Sequence, residues 1–120
     1  MKYTILVYES AEEIAARTDP ERQQGYWAAY QAYSQALSEA GILVGGAGLH
    51  PPRSATTIRV RKGERQVQDG PFADTKEELG GFFIIEVPHL DDALKWAARC
   101  PSASSGAAEV RPNLPPPPEG

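Results

Sequence analysis

A group of charged and small residues stands directly before the most apolar segment of the chain. The stretch QDGPFADTKEELGGFFIIEV, residues 68–87, places Asp69, Lys76 and Glu77 ahead of a glycine pair and a run of strand-favouring side chains. An aspartate at the mouth of a cleft can act as a general base or accept a hydrogen bond from a substrate hydroxyl. A lysine can hold an anionic ligand as a compact positive charge. We therefore predict that Asp69 and Lys76 are catalytic residues.

The same stretch is also compatible with purely structural roles. Asp69-Gly70-Pro71 has the composition of a turn in which the aspartate caps nearby backbone amides. Asp74 and Glu77 have the spacing of a capping box, and the lysine between them is equally compatible with a solvated side chain. Part of the charge is thus predicted to build the turn, and part to line a pocket.

Several uncharged or weakly basic side chains are candidates for ligand contacts. Tyr26, Tyr30 and Tyr33 share one face of a predicted helix, and this spacing favours the core, although a phenol at position 30 can also point into a cleft. His50 lies in a loop before two prolines, and neither it nor His89 has a second ligand at metal spacing. We predict no metal site, no cofactor, and ligand contacts from Tyr30, His50, Gly70, Phe72 and Thr75.

The composition predicts one globular domain without a membrane span. The chain has 120 residues, of which 41% are hydrophobic and 23% charged, and no apolar run approaches the roughly 20 residues of a transmembrane helix. The net charge of -4 is spread along the chain without a basic cluster, which argues against direct contact with nucleic acid. The lone cysteine, Cys100, cannot form an internal disulfide, so we predict a cytoplasmic protein.

The first half of the chain has the pattern of a strand–helix–strand unit. Residues 3–8 predict a strand that is covered on both faces. Asp19-Pro20-Glu21 predicts the start of a helix, which Gly41 ends. The following ILVGGAGL predicts a second strand parallel to the first, with its glycines serving tight packing or a bulge.

The second half repeats this unit after a hairpin. TTIRVR and RQVQ, joined by KGE, predict a hairpin near the sheet edge with one wet face. GFFIIEV predicts a core strand, residues 90–99 a second helix, and AAEVRP a last strand. The order predicts a ferredoxin-like α+β sandwich with a hairpin insertion over residues 1–112. The remaining NLPPPPEG, residues 113–120, predicts a flexible proline-rich tail.

The predicted sheet has more apolar surface than two helices can cover. The helices cover one face, yet the first strand and the strand GFFIIEV are apolar on both faces. An identical sheet is the simplest cover for the second face. We therefore predict a homodimer in which two sheets pack face to face.

The ordered motifs of the chain resemble those of one protein family. MKYTILVYE and GGAGLHPP are followed by DGPFADTKEELGGFFIIEV, LDDALKWAARCP and AAEVRP. Together they resemble the DGPF-domain proteins of the YCII-related family. The resemblance implies a dimeric α+β barrel. It also implies a signature, which consists here of Asp69, Gly70, Pro71, Phe72, Thr75, Lys76, Glu77, Gly80 and Gly81.

The resemblance implies less about activity than about fold. Related branches include enzyme-like proteins that act on small ring compounds, and some DGPF-domain members accompany or are fused to extracytoplasmic-function sigma factors. Related proteins carry a histidine on the first helix that is proposed to work with an acid, and the matching position here is Tyr30. Since a phenol, with a pKa of about 10, is a poor base at neutral pH, the histidine mechanism does not carry over.

Two functions from different classes follow as hypotheses. The first is a small cytoplasmic homodimer with an enzyme-like or ligand-binding cleft near the signature, acting on a small anionic or hydroxylated compound. The second is a non-catalytic regulatory or accessory protein that works with a sigma factor or another partner through its surface or its tail. A signature that only supports folding of the dimer is a third reading of the same residues.

Overall fold

The computed structural model describes residues 1–118 and shows a four-stranded sheet, a separate hairpin and three helices in this part of the chain. Short 3-10 turns span Pro52–Ser54 and Pro101–Ala103. The regular elements, in chain order, are β1 (Lys2–Ser10), α1 (Ala11–Ala16), α2 (Gln23–Glu39), β2 (Leu43–Gly48), β3 (Thr56–Arg61), β4 (Glu64–Asp69), β5 (Glu77–Glu86), α3 (Leu90–Ala98) and β6 (Ala107–Pro112).

The sheet has the strand order expected of a ferredoxin-like fold. Its order is β2-β5-β1-β6, and every neighbouring pair is antiparallel. β1 and β2 therefore run parallel to each other, with β5 between them, as the predicted crossover requires. β5 and β1 are thus the two interior strands of the sheet, as their apolar runs predict. The cover predicted for the outer face of β1 stays a prediction.

The core lies between one face of the sheet and the helices. Inward-facing residues of β1 alternate with outward-facing ones, and Ile5 is fully buried between Tyr3 and Val7, which are 3% exposed. Leu37 of α2 and Ile85 of β5 are also fully buried in the same cluster. The helical spacing thus places the predicted apolar stripe of α2 against the sheet.

The segment between β1 and α2 contains the short helix α1 and an ordered turn. Ser10 and Glu13 form a reciprocal capping box at the start of α1. The Asp19 carboxylate accepts hydrogen bonds from the backbone amides of Glu21 (2.9 Å) and Arg22 (3.2 Å). These bonds order a turn at the predicted helix start, but the regular helix begins only at Gln23, and its N-cap residue Arg22 makes no side-chain capping bond.

The predicted position of the hairpin at the sheet edge is wrong. β3 and β4 pair only with each other, and the two central residues of their turn, Lys62 and Gly63, have φ angles of 54° and 78°. On the face expected to be dry, Ile58, Val60 and Val67 are 56%, 59% and 57% exposed. The alternation of polar and apolar residues thus predicts the two strands correctly. Nothing in residues 1–118 covers their apolar face.

The predicted capping box at Asp74 and Glu77 is also wrong. No helix begins at this point; Glu77 is the first residue of β5. The backbone amide of Thr75 donates to the carboxylate of Glu78 instead (3.3 Å), and the Thr75 hydroxyl donates to the carbonyl of Glu77. These local bonds fix a bend ahead of the strand, and their acceptors are the Glu78 carboxylate and a backbone carbonyl, not the side chains of Asp74 and Glu77.

The chain leaves the sheet through a short anchored segment. The amide of Asn113 donates to the carbonyl of Lys2 (2.9 Å), and the Thr4 hydroxyl donates to the Asn113 side chain (2.6 Å). Residues 113–118 have no regular secondary structure, and residues 119 and 120 of the predicted tail lie outside the described residues. None of the helices within residues 1–118 combines the length and the apolar character needed to cross a bilayer.

Candidate functional site

A large cavity lies between α2 and the sheet, against the edge strand β2 and its neighbour β5. Its volume is about 980 Å³, which is at the upper end of the range for small-molecule sites, about 300–1,000 Å³. The elements that line it are β1, α1, the connection to α2, α2 itself, β2, the loop after β2 and the middle of β5. Three glycines of β2, Gly45, Gly46 and Gly48, are among the lining residues and leave this part of the wall without side chains.

One end of the cavity, which we call the polar end, contains a buried ionic cluster. The Arg17 guanidinium donates to the Glu9 carboxylate (2.7 Å) and to the Tyr26 hydroxyl (2.9 Å). The Tyr26 hydroxyl donates to the other Glu9 oxygen (2.6 Å). Arg17 also donates to the backbone carbonyls of Gly80 (3.1 Å) and Leu49. The cluster therefore joins β1, the segment before α2, α2, β5 and the loop after β2.

The cluster is desolvated, and this sets its electrostatics. The side chains of Arg17 and Glu9 are 9% and 1% exposed. Burial alone would lower the pKa of Arg17, but the hydrogen bonds with Tyr26 and Glu9 outweigh it and hold that pKa above its ordinary value. Burial and the hydrogen bond to Glu9 raise the pKa of Tyr26. Tyr26 is therefore a neutral hydrogen-bond donor at neutral pH and not a general base.

The remainder of the cavity is mostly apolar and aromatic, and we call it the apolar end. Leu43 and Phe83 line it from the strands, and Tyr30 lines it from α2. The Tyr30 hydroxyl is buried and has no hydrogen-bond partner within residues 1–118. Burial raises its pKa. Tyr30 thus contributes its ring, and not an accessible phenol, to the wall.

Glycines shape the wall at the sheet edge. A Cβ at Gly80 would lie 2.2 Å from the Glu9 carboxylate, and a Cβ at Gly46 would lie 2.5 Å from the carbonyl of Phe82. At Gly48, by contrast, a Cβ would meet no atom within 4 Å. Two of these glycines are thus required by close contacts, while Gly48 borders open cavity space. β2 also has the irregularity predicted from its glycines, a register shift between Leu43 and Gly45.

Two of the predicted ligand-contact residues lie at this cavity. Tyr30 contributes to its wall, and His50 is exposed at its rim in the loop after β2. Gly80 and Gly81, the glycine pair of the signature, also line it. The signature therefore contributes two glycines, and no larger side chain, to the cavity wall.

The other predicted site residues lie at the base of the hairpin, outside the cavity lining. Gly70 has a φ of 98° and bends the chain, and its amide donates to the Ala55 carbonyl (2.7 Å). Within residues 1–118 the Asp69 side chain caps no backbone amide, so that part of the predicted turn is wrong. Asp69 and Lys76 are exposed, and neither side chain forms an ion pair or a hydrogen bond within residues 1–118. Phe72 is 73% exposed beneath the guanidinium of Arg59, and Thr75 bonds to neighbouring backbone; the roles predicted for these residues stay predictions.

Sequence reasoning missed Glu9 and Arg17. Glu9 continues the inward alternation of Tyr3, Ile5 and Val7, so a carboxylate at that register was the available signal of a buried charge. Arg17 had no comparable local signal, because its partners are eight or more residues away. Residues 1–118 contain no group of three or more His, Cys, Asp or Glu side chains placed to ligate a metal ion.

The buried phenols predict a loss of stability in alkali. Burial raises the pKa values of Tyr26, Tyr30 and Tyr33 above the ordinary value of 10.0. Because the folded state favours the protonated phenols, their contribution to stability is fully present below about pH 10 and is lost as the pH rises through the folded values. We expect the free energy of unfolding to fall between pH 9.5 and 11.5 in urea titrations. Tyr26→Phe combined with Tyr30→Phe should flatten that fall; an unchanged slope would contradict the assignment.

The chain is similar to known proteins over nearly its whole length. The model of the YCII-related domain matches residues 1–115. An uncharacterised protein of Rhizobium meliloti (strain 1021) is 39% identical over 114 residues, which cover 93% of this chain and 91% of that protein.

A solved structure shares the fold at low identity. It is the 5-chloro-2-hydroxyhydroquinone dehydrochlorinase of Burkholderia phenoliruptrix AC1100, in complex with 2,5-dihydroxybenzoquinone. The TM-score is 0.54 at 18% identity, and the match covers 95% of this chain and 94% of that chain. This likeness shows the fold, whereas the domain model and the Rhizobium protein also establish descent. The chain accordingly belongs to the family of proteins with a YCII-related domain.

Proposed function

We propose that this protein binds a small, largely apolar organic molecule in the cavity between α2 and strands β2 and β5, as an enzyme-like or ligand-binding protein. The observation that carries the proposal is a cavity of about 980 Å³ with an aromatic wall and a desolvated ionic cluster at one end. Ligand sites of soluble proteins combine these features, because apolar walls supply affinity and a few fixed polar groups supply orientation.

The ionic cluster is expected to hold the polar end of the cavity in one conformation and to limit the water within it. Glu9, Arg17 and Tyr26 satisfy one another and draw in two backbone carbonyls. A network of this kind rigidifies the elements that carry it, and its dipoles act strongly where water is excluded. The solved dehydrochlorinase of the same fold holds a hydroxylated ring compound, and a ring compound is the class that we propose for this cavity also.

Filling the cavity should abolish binding without unfolding the protein. Gly48→Leu adds a side chain where the structure has free space, so we expect the variant to fold and to lose affinity at least about tenfold. A thermal-shift screen against aromatic metabolites measures this, since a ligand that binds only the folded state raises the Tm. Phenylnaphthylamine, a neutral fluorescent probe, provides a ligand of known chemistry for the same comparison.

Variants at the signature are the matched controls. Asp69→Ala and Lys76→Ala change exposed side chains outside the cavity lining, so hits should survive in both. Hits that disappear in these two variants and persist in Gly48→Leu would move the site to the signature and contradict the cavity proposal.

We also propose that the protein is a cytoplasmic homodimer whose sheets pack face to face as an α+β barrel. The face of the sheet away from the helices, here the open face, carries Leu6 and Ile84, which are only partly buried. Leu79 of the same strand as Ile84 is 38% exposed. A second copy covers such a face at the least cost in exposed apolar area. The single cysteine is buried and unpaired, which fits a reducing compartment.

A charge on the open face should weaken this dimer. We expect light scattering during gel filtration to give twice the chain mass for the wild type. Leu6→Asp should raise the dimer dissociation constant at least about tenfold, because a carboxylate would be buried without a partner. Gln24→Asp, at an exposed position of α2 on the opposite side of the sheet, is the control. A monomeric wild type would refute the dimer while leaving the cavity proposal intact.

A second function, as a non-catalytic accessory protein, is favoured by the hairpin. Its apolar row of Ile58, Val60 and Val67 is more than half exposed, as a surface for a protein partner would be. Association with an extracytoplasmic-function sigma factor stays a prediction. Neighbouring genes distinguish the two functions: an adjacent sigma-factor gene favours the accessory protein, and a degradative operon favours the ligand-binding one.

A further inference from the structure

The charged groups of the cavity are concentrated at the polar end. Glu9 is the one carboxylate in the lining among the residues described, and Arg17 and Arg53 are the lining arginines. His50 lies in the same loop as Arg53. With the imidazole neutral, the lining carries one net positive charge, although the chain as a whole carries -4. The cavity is therefore a positive site on an acidic protein.

The Glu9 charge does not oppose an incoming anion, because it is already neutralised. One of its oxygens accepts from Arg17 at 2.7 Å and the other from Tyr26 at 2.6 Å. The ion pair is buried, so its two charges largely cancel at the cavity surface. The positive charge that remains is that of Arg53.

Arg53 is held in place and is free to bind. Its backbone belongs to a 3-10 turn, in which the amide of Ser54 donates to the Pro51 carbonyl (2.8 Å) and that of Ala55 donates to the Pro52 carbonyl (2.9 Å). The proline pair further restricts this turn. Within residues 1–118, the Arg53 guanidinium forms no ion pair and no hydrogen bond. A fixed backbone thus presents an unpaired planar donor at the rim.

The far end of the cavity has no such charge. Leu43 begins β2, and Phe83 lies opposite Gly46 on β5, so both stand away from the loop that carries His50 and Arg53. Tyr30 and Ser34 follow Tyr26 along α2 toward the same end. A long molecule in this cavity accordingly has one apolar environment and one positive environment.

Resting on the proposed function, we infer that the ligand is an organic acid with a flat apolar body. The body lies against Leu43, Phe83 and the ring of Tyr30, and the acidic group lies at the rim against Arg53 and His50. A guanidinium binds a carboxylate or sulfonate through two parallel hydrogen bonds, which fixes its orientation as well as adding affinity. A neutral ligand would gain the apolar contacts alone.

Two fluorescent probes that differ by one acidic group test this inference. Anilinonaphthalene sulfonate has the aromatic body of phenylnaphthylamine with a sulfonate added. We expect the sulfonate to bind the wild type about fivefold more tightly than the neutral probe, the upper range for a solvent-exposed ion pair. Arg53→Gln should remove that difference and leave the neutral probe unchanged. Arg65→Gln, on the exposed hairpin, should change neither affinity.

The outcomes separate the inference from the proposed function. If both probes bind with equal affinity, or if Arg53→Gln leaves the preference for the sulfonate intact, the ligand is not an acid oriented by Arg53. The cavity proposal survives that result as long as Gly48→Leu weakens both probes. If neither probe is sensitive to Gly48→Leu, the cavity is not the site, and both conclusions fall. Loss of the preference at high salt would support the ion pair further.

Discussion

Glu9→Ala should destabilise the protein by about 3–5 kcal/mol, the usual cost of removing one partner from a buried ion pair. Glu9 is fully buried, and its loss leaves the Arg17 guanidinium and the Tyr26 hydroxyl without their charged acceptor. Arg17 still contacts two backbone carbonyls, which cannot neutralise a desolvated cation. Urea titrations at neutral pH measure the change in the free energy of unfolding.

Two other substitutions serve as comparisons for the loss of stability in Glu9→Ala. Glu12→Ala removes a surface partner of Arg22 at 3.8 Å, where the side chains are 86% and 44% exposed, so its effect should stay within about 0.5 kcal/mol. Glu9→Gln keeps the shape and one acceptor oxygen and should cost less than Glu9→Ala. A Glu9→Ala protein as stable as Glu12→Ala would show that the cluster does not hold these elements together.

Gly80→Ala should destabilise the protein by about 1–3 kcal/mol through overpacking at the same cluster. The added Cβ would lie 2.2 Å from a Glu9 oxygen and 2.9 Å from the Arg17 guanidinium. Glu9 is fully buried and bonded on both oxygens, so it has little room to move. Gly45→Ala is the control, because a Cβ there meets no atom within 4 Å.

A double-mutant cycle identifies the cause of the Gly80 effect. With the Glu9 side chain truncated, the clashing carboxylate is gone, so Gly80→Ala should cost much less in the Glu9→Ala background than in the wild type. Additive losses in the double variant would mean that Gly80 is required for strand geometry and not for the carboxylate.

The sheet and its order were predictable because the signals lie within each segment. The apolar runs of β1 and β5 and the amphipathic spacing of α2 all appear over fewer than twenty consecutive residues. The position of the hairpin, by contrast, was not predictable from such local signals. Thr56–Arg61 has a clear strand pattern, but a period of two says only that one face is apolar, not that the same chain covers it.

The candidate site was harder to predict because it is assembled from distant segments. Glu9 meets Arg17 and Tyr26 only because β1 turns into α1 and α2 returns across the sheet. The charges of the signature, Asp69 and Lys76, were the most visible candidates, yet their side chains lie outside the cavity lining. The signature glycines indicated the position of the site better than the charges did, because Gly80 lines the cavity wall. The reason for a glycine at this position, its close contact with Glu9, is not visible in the neighbouring sequence.

Amide chemical-shift mapping with phenylnaphthylamine tests the cavity most directly. We expect the largest shifts at Gly46, Gly48 and Gly80, which line the cavity wall, and the loss of those shifts in Gly48→Leu. Shifts centred on residues 69–76, or on the open face of the sheet around Leu6, with the cavity glycines unmoved, would contradict it.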